Sequence, residues 1–141
     1  MDLDGEGARV HSSEPAPPMI LLDTHALLWL DRGHPRSRPL AGWAGRLYLS
    51  PASLLEVELL REVGRIRLRR GATPATLAHD DRWLLDSPPS AAWFEAAWPF
   101  SWARDPFDRL LVAHAEHRGW RLATADAELL ERLGANRTVE L

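Results

Sequence analysis

The chain has 141 residues, of which 45% are hydrophobic and 26% charged, with a formal net charge of −3. These values fit one globular domain with its own core. No apolar run approaches the roughly 18 residues of a membrane span. The lack of cysteine excludes disulfides and thiolate metal sites, so we expect a cytoplasmic protein.

Residues 1–18 differ in composition from the rest of the chain. They are rich in Gly, Ser, Pro and acids, and they lack both the basic start and the apolar centre of a signal peptide. We interpret them as a disordered tail or as a mis-assigned start, with Met19 as the initiator. They hold four of the 20 acids and one of the 17 bases, so residues 19–141 are formally neutral. Nucleic-acid binding must then depend on local patches.

Short apolar runs alternate with helical patterns along residues 19–141. The predicted strands are 19–22, 46–49, 83–85, 121–124 and 138–141. The predicted helices are 24–30, 40–44, 51–64, 74–79, 90–97, 106–118 and 127–133, with a break at 33–39. This alternation predicts an α/β domain around a small, doubly wound parallel sheet.

Glu56 is a charged residue at a predicted apolar position. At about 100° per residue it lies opposite the polar stripe of the helix that Ser50 and Pro51 begin. Its neighbours on that side are Ala52, Leu59, Leu60 and Val63. Burying a charge is costly unless it is paired or binds a metal. The alternative is a partly exposed Glu56, or one paired with a distant arginine.

Two acids begin the helix predicted at 106–118. Asp105 and Pro106 form a typical N-cap and first residue, and Asp108 stands at the capping-box position. Asp108 also shares a side of the helix with Leu111 and Val112. Because capping leaves some of its oxygen lone pairs free, we expect Asp105 mainly to cap and Asp108 to bind a ligand as well.

Asp23 and Asp126 each follow a predicted strand and precede a helix. Either one alone fits an N-cap. In a doubly wound sheet, however, ligands bind at the carboxyl ends of the strands, where both acids would meet Glu56. Carboxylates so close raise each other's pKa unless a cation neutralises them. Oxygen ligands without His or Cys favour Mg²⁺ or Mn²⁺, so the acids predict a metal site.

Four stretches resemble the PIN-domain ribonucleases, most closely the VapC-type toxins of bacterial type II toxin–antitoxin systems. They are 19–30 (MILLDTHALLWL), 50–56 (SPASLLE), 105–113 (DPFDRLLVA) and 122–126 (LATAD). Their order and spacing follow the family from residue 19 to the C-terminus. One difference is that this subgroup often has a histidine shortly before the third stretch. Here Trp102 and Arg104 stand there instead, so either they make that substrate contact or the contact is missing.

The resemblance implies a PIN-like three-layer α/β/α sandwich and a metal-dependent endoribonuclease. Asp23, Glu56, Asp108 and Asp126 match the acidic site that holds Mg²⁺ (or Mn²⁺) and performs catalysis. Asp105 matches an additional acid, and Thr124 the small polar residue two positions before the last acid. The residues assigned to substrate binding are Thr124, Asp105, Arg109 and Arg65.

The resemblance also implies the partners. These are an RNA substrate cut to leave a 5′-phosphate, a second copy of the chain in a homodimer, and a cognate antitoxin protein that covers the acids with an arginine. One alternative is a catalytically inactive PIN-like module that binds RNA or protein, although the complete set of acids argues against it. Another is a DNA-processing nuclease with the same chemistry.

Three other groups of residues remain open or favour a structural role. His114 and His117 lack a third ligand nearby, so two solvated helix residues are expected. His25 is compatible with substrate contact or with local packing. The arginines of 61–70 fit either a grip on RNA phosphates or an acidic partner, or a solvated turn. The tryptophans expected in the core or an interface are Trp29, Trp43, Trp83 and Trp98.

Overall fold

Five parallel strands form the central sheet of the computed structural model, which describes residues 19–43 and 46–141. The strands are β1 (Ile20–Leu22), β2 (Leu47–Leu49), β3 (Leu84–Leu85), β4 (Arg121–Thr124) and β5 (Thr138–Glu140). Their order is β3-β2-β1-β4-β5, and each neighbouring pair is parallel. The prediction made for residues 1–18 lies outside the described residues.

Helices connect the strands along the chain. They are α1 (Thr24–Arg32), α2 (Pro51–Glu62), α3 (Pro74–Ala78), α4 (Ser90–Ala96), α5 (Pro106–Arg118) and α6 (Ala127–Leu133). Two 3₁₀ segments, Pro35–Trp43 and Ala135–Arg137, complete the set. Within the described residues, none of these helices is both long and apolar enough to span a membrane.

Alternate residues of the buried strands face opposite sides of the sheet, as a pleated strand requires. Ile20 and Leu22 of β1 pack in one apolar cluster, with Leu27 of α1 and Val57 of α2. Leu21, between them, packs in a second apolar cluster. Other members of that cluster are Trp93 of α4, Leu111 of α5 and Leu129 of α6. Helices therefore cover both faces, which confirms the predicted three-layer α/β/α sandwich.

Two local predictions differ from the structure. The break predicted at 33–39 is instead part of the 3₁₀ segment that begins at Pro35, whose short turns accommodate Pro39 because they are not a continuous α-helix. Ala44, at the end of the helix predicted there, lies outside the described residues. Leu59 of α2 and Val63, which caps the helix, are 44% and 60% exposed, because the elements packed against α2, which include α1, α3 and α5, leave these side chains uncovered.

Candidate active site

A cleft of about 580 Å³ opens beside the carboxyl ends of β1 and β4. Five carboxylates contribute to its lining, together with side chains of α1, α2 and α5. They are Asp23, Glu56, Asp105, Asp108 and Asp126. The fold therefore brings all four predicted metal ligands to one cavity, at the end of the sheet where parallel α/β proteins bind ligands.

Asp23 is held at the junction between β1 and α1. Its carboxylate is the N-cap of α1 and accepts a hydrogen bond of 2.7 Å from the Ala26 N–H. Its backbone N–H donates to the Ala123 carbonyl of β4 at 3.1 Å. Only 7% of Asp23 is exposed. The capping interpretation is thus correct, and the same carboxylate also lines the cleft.

Asp126 has the corresponding position after β4. It is the N-cap of α6, where its carboxylate accepts from the Leu129 N–H at 3.0 Å. Its own N–H donates to the Thr124 hydroxyl at 3.0 Å. Thr124 is fully buried and does not contribute to the lining of the cleft. We therefore expect Thr124 to position the acids at the ends of β1 and β4 and not to contact a substrate.

Glu56 of α2 lines the cleft, and a hydrogen bond from α1 holds its side chain in place. The Thr24 hydroxyl donates to its Oε1 atom at 2.5 Å and lies 3.2 Å from the Ser53 hydroxyl. Thr24 and Ser53 are both buried. Glu56 has no ion pair within 19–43 and 46–141, so the distant arginine considered as its partner is not there.

Asp105 and Asp108 divide the roles that the sequence suggested. Asp105 caps α5, because its carboxylate accepts from the N–H groups of Phe107 and Asp108 at 2.8 and 3.1 Å. The carboxylate of Asp108 takes no part in a capping box. It is half-buried and lines the cleft without a cation from the described part of the chain beside it.

Burial and neighbouring charges disfavour the charged form of three of the cleft acids. Burial raises the pKa of Asp23, against the lowering effect of the Thr124 hydroxyl and the Ala26 N–H. Burial also raises the pKa of Glu56, which the Thr24 hydrogen bond opposes. Asp108 is affected most, since burial and then the charges of Asp105 and Glu56 raise its pKa to about 7. The cleft therefore favours a bound cation.

The donor set fits a hard divalent cation. All the acids of the cleft offer carboxylate oxygens, which are the ligands that Mg²⁺ and Mn²⁺ prefer. Over the ranges that the structure describes, no three of the Asp, Glu or His side chains are already grouped closely enough to hold an ion. The acids share one cleft, and direct binding of one ion by three of them would require them to move closer together.

One wall of the cleft includes Arg65, at the start of the arginine-rich segment 65–70. The other end of that segment is tied to α1, where the buried Asp31 accepts from Arg69 at 2.9 Å. Arg32 also donates to the Arg67 carbonyl, at 3.3 Å. Asp31 pairs with Arg82 as well, at 2.7 Å. Segment 65–70 is therefore anchored to α1, and the Arg65 side chain lines the cleft.

The five arginines of 61–70 do not act as one patch. Arg61 pairs with Glu58 of the same helix at 2.7 Å, and Arg69 pairs with Asp31. No ion pair between described residues involves Arg65, Arg67 or Arg70. Two of the five are thus structural, and three are exposed and available for phosphates or an acidic partner.

Arg109 lies away from the cleft, unlike Asp105 and Arg65, which were also assigned to substrate binding. Its guanidinium donates to the carbonyls of Ala97 and Trp98 at 2.9 and 2.8 Å. These carbonyls lie at the C-terminal end of α4, where a cation is favourable. Trp102 and Arg104 do not line the cleft either. The placement of these three residues therefore gives no support for a substrate contact.

His114 is not a solvated residue, and the prediction made for it is wrong. It is fully buried, with Nε2 at 2.8 Å from Asp86 Oδ2. Arg118 donates to the same carboxylate at 2.9 and 3.1 Å. Burial lowers the pKa of His114, although Asp86 opposes this effect. A neutral imidazole that donates from Nε2 explains why the buried Nδ1 has no hydrogen-bond partner. His117 is exposed as predicted.

Some residues of the site were not predicted from the sequence. Thr24 and Ser53 were not recognised as supports of Glu56, although both stand next to the acidic motifs. Trp29 was expected in the core or an interface, and it lines the cleft together with His25. The helical spacing of His25 and Trp29, four residues apart on the helix that follows Asp23, is a signal that places both side chains on one face.

Comparisons with known proteins agree with this geometry. The family model of the PIN domain matches residues 20–136. Ribonuclease VapC22 of Mycobacterium tuberculosis is 34% identical over 119 residues, which cover 78% of this chain and 88% of that protein. The family model spans the positions of Asp23, Glu56, Asp108 and Asp126.

Solved structures share the fold at lower sequence identity. A toxin–antitoxin complex from Klebsiella pneumoniae has a TM-score of 0.61 at 16% identity and covers 86% of this chain and 99% of its own. VapC20 of M. tuberculosis, a sarcin–ricin loop cleaving toxin, has a TM-score of 0.57 at 20% identity, with coverages of 82% and 95%. The chain belongs to the PIN-domain family and is a ribonuclease of the VapC type.

Proposed function

We propose that this protein is a Mg²⁺-dependent endoribonuclease that acts as the toxin of a type II toxin–antitoxin system. The observation that carries the proposal is the convergence of Asp23, Glu56, Asp108 and Asp126 in one cleft, without a cationic side chain paired to them in the part of the chain described. The similarity to Ribonuclease VapC22 supports RNA as the substrate.

The four carboxylates would hold one or two cations, directly or through water. When bound, a divalent cation activates a water molecule for attack and neutralises charge on the phosphate oxygens. Thr24 keeps Glu56 oriented toward the cleft, and Thr124 fixes the backbone of Asp126. Asp105 holds the first turn of α5, from which Asp108 projects.

The substrate is a phosphodiester in RNA. Arg65 offers the guanidinium on the cleft wall, which suits a backbone phosphate on either side of the cleaved one. Attack by water breaks the bond from phosphorus to the 3′-oxygen. One product keeps a 5′-phosphate, and the other leaves with a 3′-hydroxyl group. We infer that this reaction takes place in the cytoplasm.

A cognate antitoxin would inhibit the enzyme by covering the same cleft. An arginine of the antitoxin can pair with the carboxylates, and the lining residues Leu59, Leu60 and Ile66 offer apolar contacts beside them.

Exposed apolar side chains elsewhere support a homodimer: Phe94 is 52% and Leu84 60% exposed. Light scattering should report a dimer, and Phe94→Glu should weaken it.

The activity is tested with purified protein free of antitoxin. Wild type is incubated with tRNA, rRNA and mRNA pools, with Mg²⁺ or Mn²⁺ or with a chelator, and Asp23→Asn serves as the inactive control. We expect cleavage only with the metal and only by wild type. A DNA substrate in parallel tests for a DNA-processing enzyme. Absence of metal-dependent cleavage of every RNA pool would contradict the proposal.

The toxin role is tested in cells. Induced expression should arrest growth, and co-expression of the neighbouring upstream reading frame should restore it. Asp23→Asn should not arrest growth at equal protein level. If growth arrest persists in this variant, the toxicity does not come from the nuclease site.

A further inference from the structure

Among the tryptophans that the structure describes, Trp29 and the exposed Trp98 pack in neither apolar cluster, and of these two Trp29 lines the acidic cleft. Trp83 and Trp93 are 2% and 5% exposed and belong to the two apolar clusters. Trp29 is half-buried, belongs to neither cluster within the described residues, and lines the acidic cleft. Its large apolar surface therefore contributes little to filling the protein interior.

Polar and cationic side chains hold the Trp29 indole in place. The ring of His34 stacks on it, with centroids 5.6 Å apart and an angle of 26° between the planes. The Arg36 guanidinium lies 4.6 Å from the ring centroid, and it is fixed by a 3.0 Å bond to the Leu141 carbonyl. Such contacts orient an indole without apolar packing.

His25 extends this surface toward the acids. It lies one helical turn before Trp29, with ring centroids 6.1 Å apart, and its side chain is exposed at the cleft. His25 and Trp29 together are called the aromatic wall below. Along α1, roughly 9 Å of helix axis separates Asp23 from Trp29, a length on the scale of a nucleotide. Arg65 lines the same cleft.

We infer that the aromatic wall is a nucleobase-binding subsite. The base of a nucleotide adjoining the cleaved phosphate packs against His25 and Trp29, while Arg65 contacts the phosphate backbone. Aromatic side chains bind the face of any base, and a base is accessible in this way only where the RNA is unpaired. This inference rests on the proposed function, since it assigns a further part of the same cleft.

Binding to the catalytically silent Asp108→Asn protein tests the subsite. The probes are a short oligouridylate and a ribose–phosphate oligomer of equal length without bases, followed by fluorescence anisotropy. Trp29→Ala should weaken binding of oligouridylate by about 5- to 100-fold and leave binding of the base-free oligomer unchanged. His25→Ala should act in the same direction, and Trp29→Phe should retain most of the affinity.

Trp98→Ala is the matched control, because Trp98 is 70% exposed and does not line the cleft. It should not alter the affinity for either probe. Thermal denaturation identifies any variant that has lost its fold, and the exposed His25 supplies an independent test if Trp29→Ala has. Equal losses for both probes, or none with oligouridylate, would overturn the subsite.

The outcomes separate the subsite from the proposed function. If wild type cleaves RNA with Mg²⁺ but the Trp29 and His25 variants of the Asp108→Asn protein bind oligouridylate normally, the subsite is wrong and the proposed nuclease function stands. If wild type neither cleaves nor binds RNA, the subsite and the proposed function are both wrong. If Trp29→Ala weakens only the binding of the inhibiting antitoxin, the wall belongs to that protein partner, which also overturns the inference.

Discussion

Asp86 and the cleft acids occupy similar positions in the fold but have opposite surroundings. Asp86 directly follows β3, as Asp23 follows β1. Arg118 and His114 bond to Asp86, and they lower its pKa although burial raises it. The Asp23 carboxylate accepts a hydrogen bond from the Ala26 backbone N–H at 2.7 Å. Its pKa is nevertheless raised, because the effect of burial is larger.

The difference teaches how a structural carboxylate is distinguished from one that binds a ligand. Both kinds stand near the carboxyl ends of parallel strands, so position alone does not separate them. The cationic partner does, because Asp86 receives its counter-charge from the chain and stabilises the fold. The cleft acids repel one another and raise the pKa of Asp108, which costs stability until a cation binds.

The largest expected effect separates activity from stability. Asp108→Asn should lower RNA cleavage by at least about 100-fold, because it removes a carboxylate that would hold the cation. The free energy of unfolding without metal should be unchanged or higher, because one repelling charge is gone. Initial cleavage rates and urea denaturation measure the two quantities. A variant that loses stability along with activity would place Asp108 with the structural acids.

Mg²⁺ should stabilise the protein through the cleft alone. At a free concentration about 100 times Kd, binding to the folded state adds about 2.7 kcal/mol to the free energy of unfolding. The increase should be largely lost in Asp108→Asn and retained in Asp86→Asn. Thermal denaturation over a series of Mg²⁺ concentrations provides the measurement. An equal increase in both variants would show that the ion binds elsewhere.

Asp86→Asn should have the reverse effect of Asp108→Asn. It leaves Arg118 and the buried His114 without their carboxylate, at a cost of about 2 kcal/mol, below the 3–5 kcal/mol of a fully buried pair because the side chains of Asp86 and Arg118 are 20% and 31% exposed. Cleavage per folded molecule should stay at the wild-type level. Loss of cleavage without loss of stability would contradict the structural role.

The smallest expected effect is a difference in pH dependence in the absence of metal. The folded pKa of Asp108, about 7, lies above its unfolded value. Its ionisation therefore destabilises the fold fully above pH 7, and this cost disappears as the pH falls toward the unfolded pKa. Asp108→Asn should be more stable than wild type by about 1 kcal/mol near pH 8, a value reduced for partial exposure, and equal to it near pH 4. Urea denaturation with chelator present measures this difference.

Much of the fold could be predicted because its signals are local. The wholly apolar run 19–22, the Ser50 and Asp105 N-caps, and Gly119 at the end of α5 each determine structure through neighbouring residues. Asp23, Glu56, Asp108 and Asp126 could be selected because an acid at an apolar or strand-end position is a local anomaly. The resemblance to a known family then joined them into one site.

The failed predictions concern partners distant in sequence. His114 is buried because Asp86, 28 residues earlier, accepts its hydrogen bond. The Arg109 guanidinium donates to the Ala97 carbonyl, which is accessible to it because α4 ends at Ala96. The apolar positions of α2 and its C-cap cover more surface than the neighbouring elements bury, so the helical pattern does not show that Leu59 and Val63 stay exposed.

The strand order also determines when the enzyme becomes complete during synthesis. Asp23 directly follows β1, whereas β4, which pairs with β1, consists of residues 121–124 and is translated much later than β1. Since Asp126 follows β4, the nascent chain has no complete acidic cleft until residue 126 has been translated.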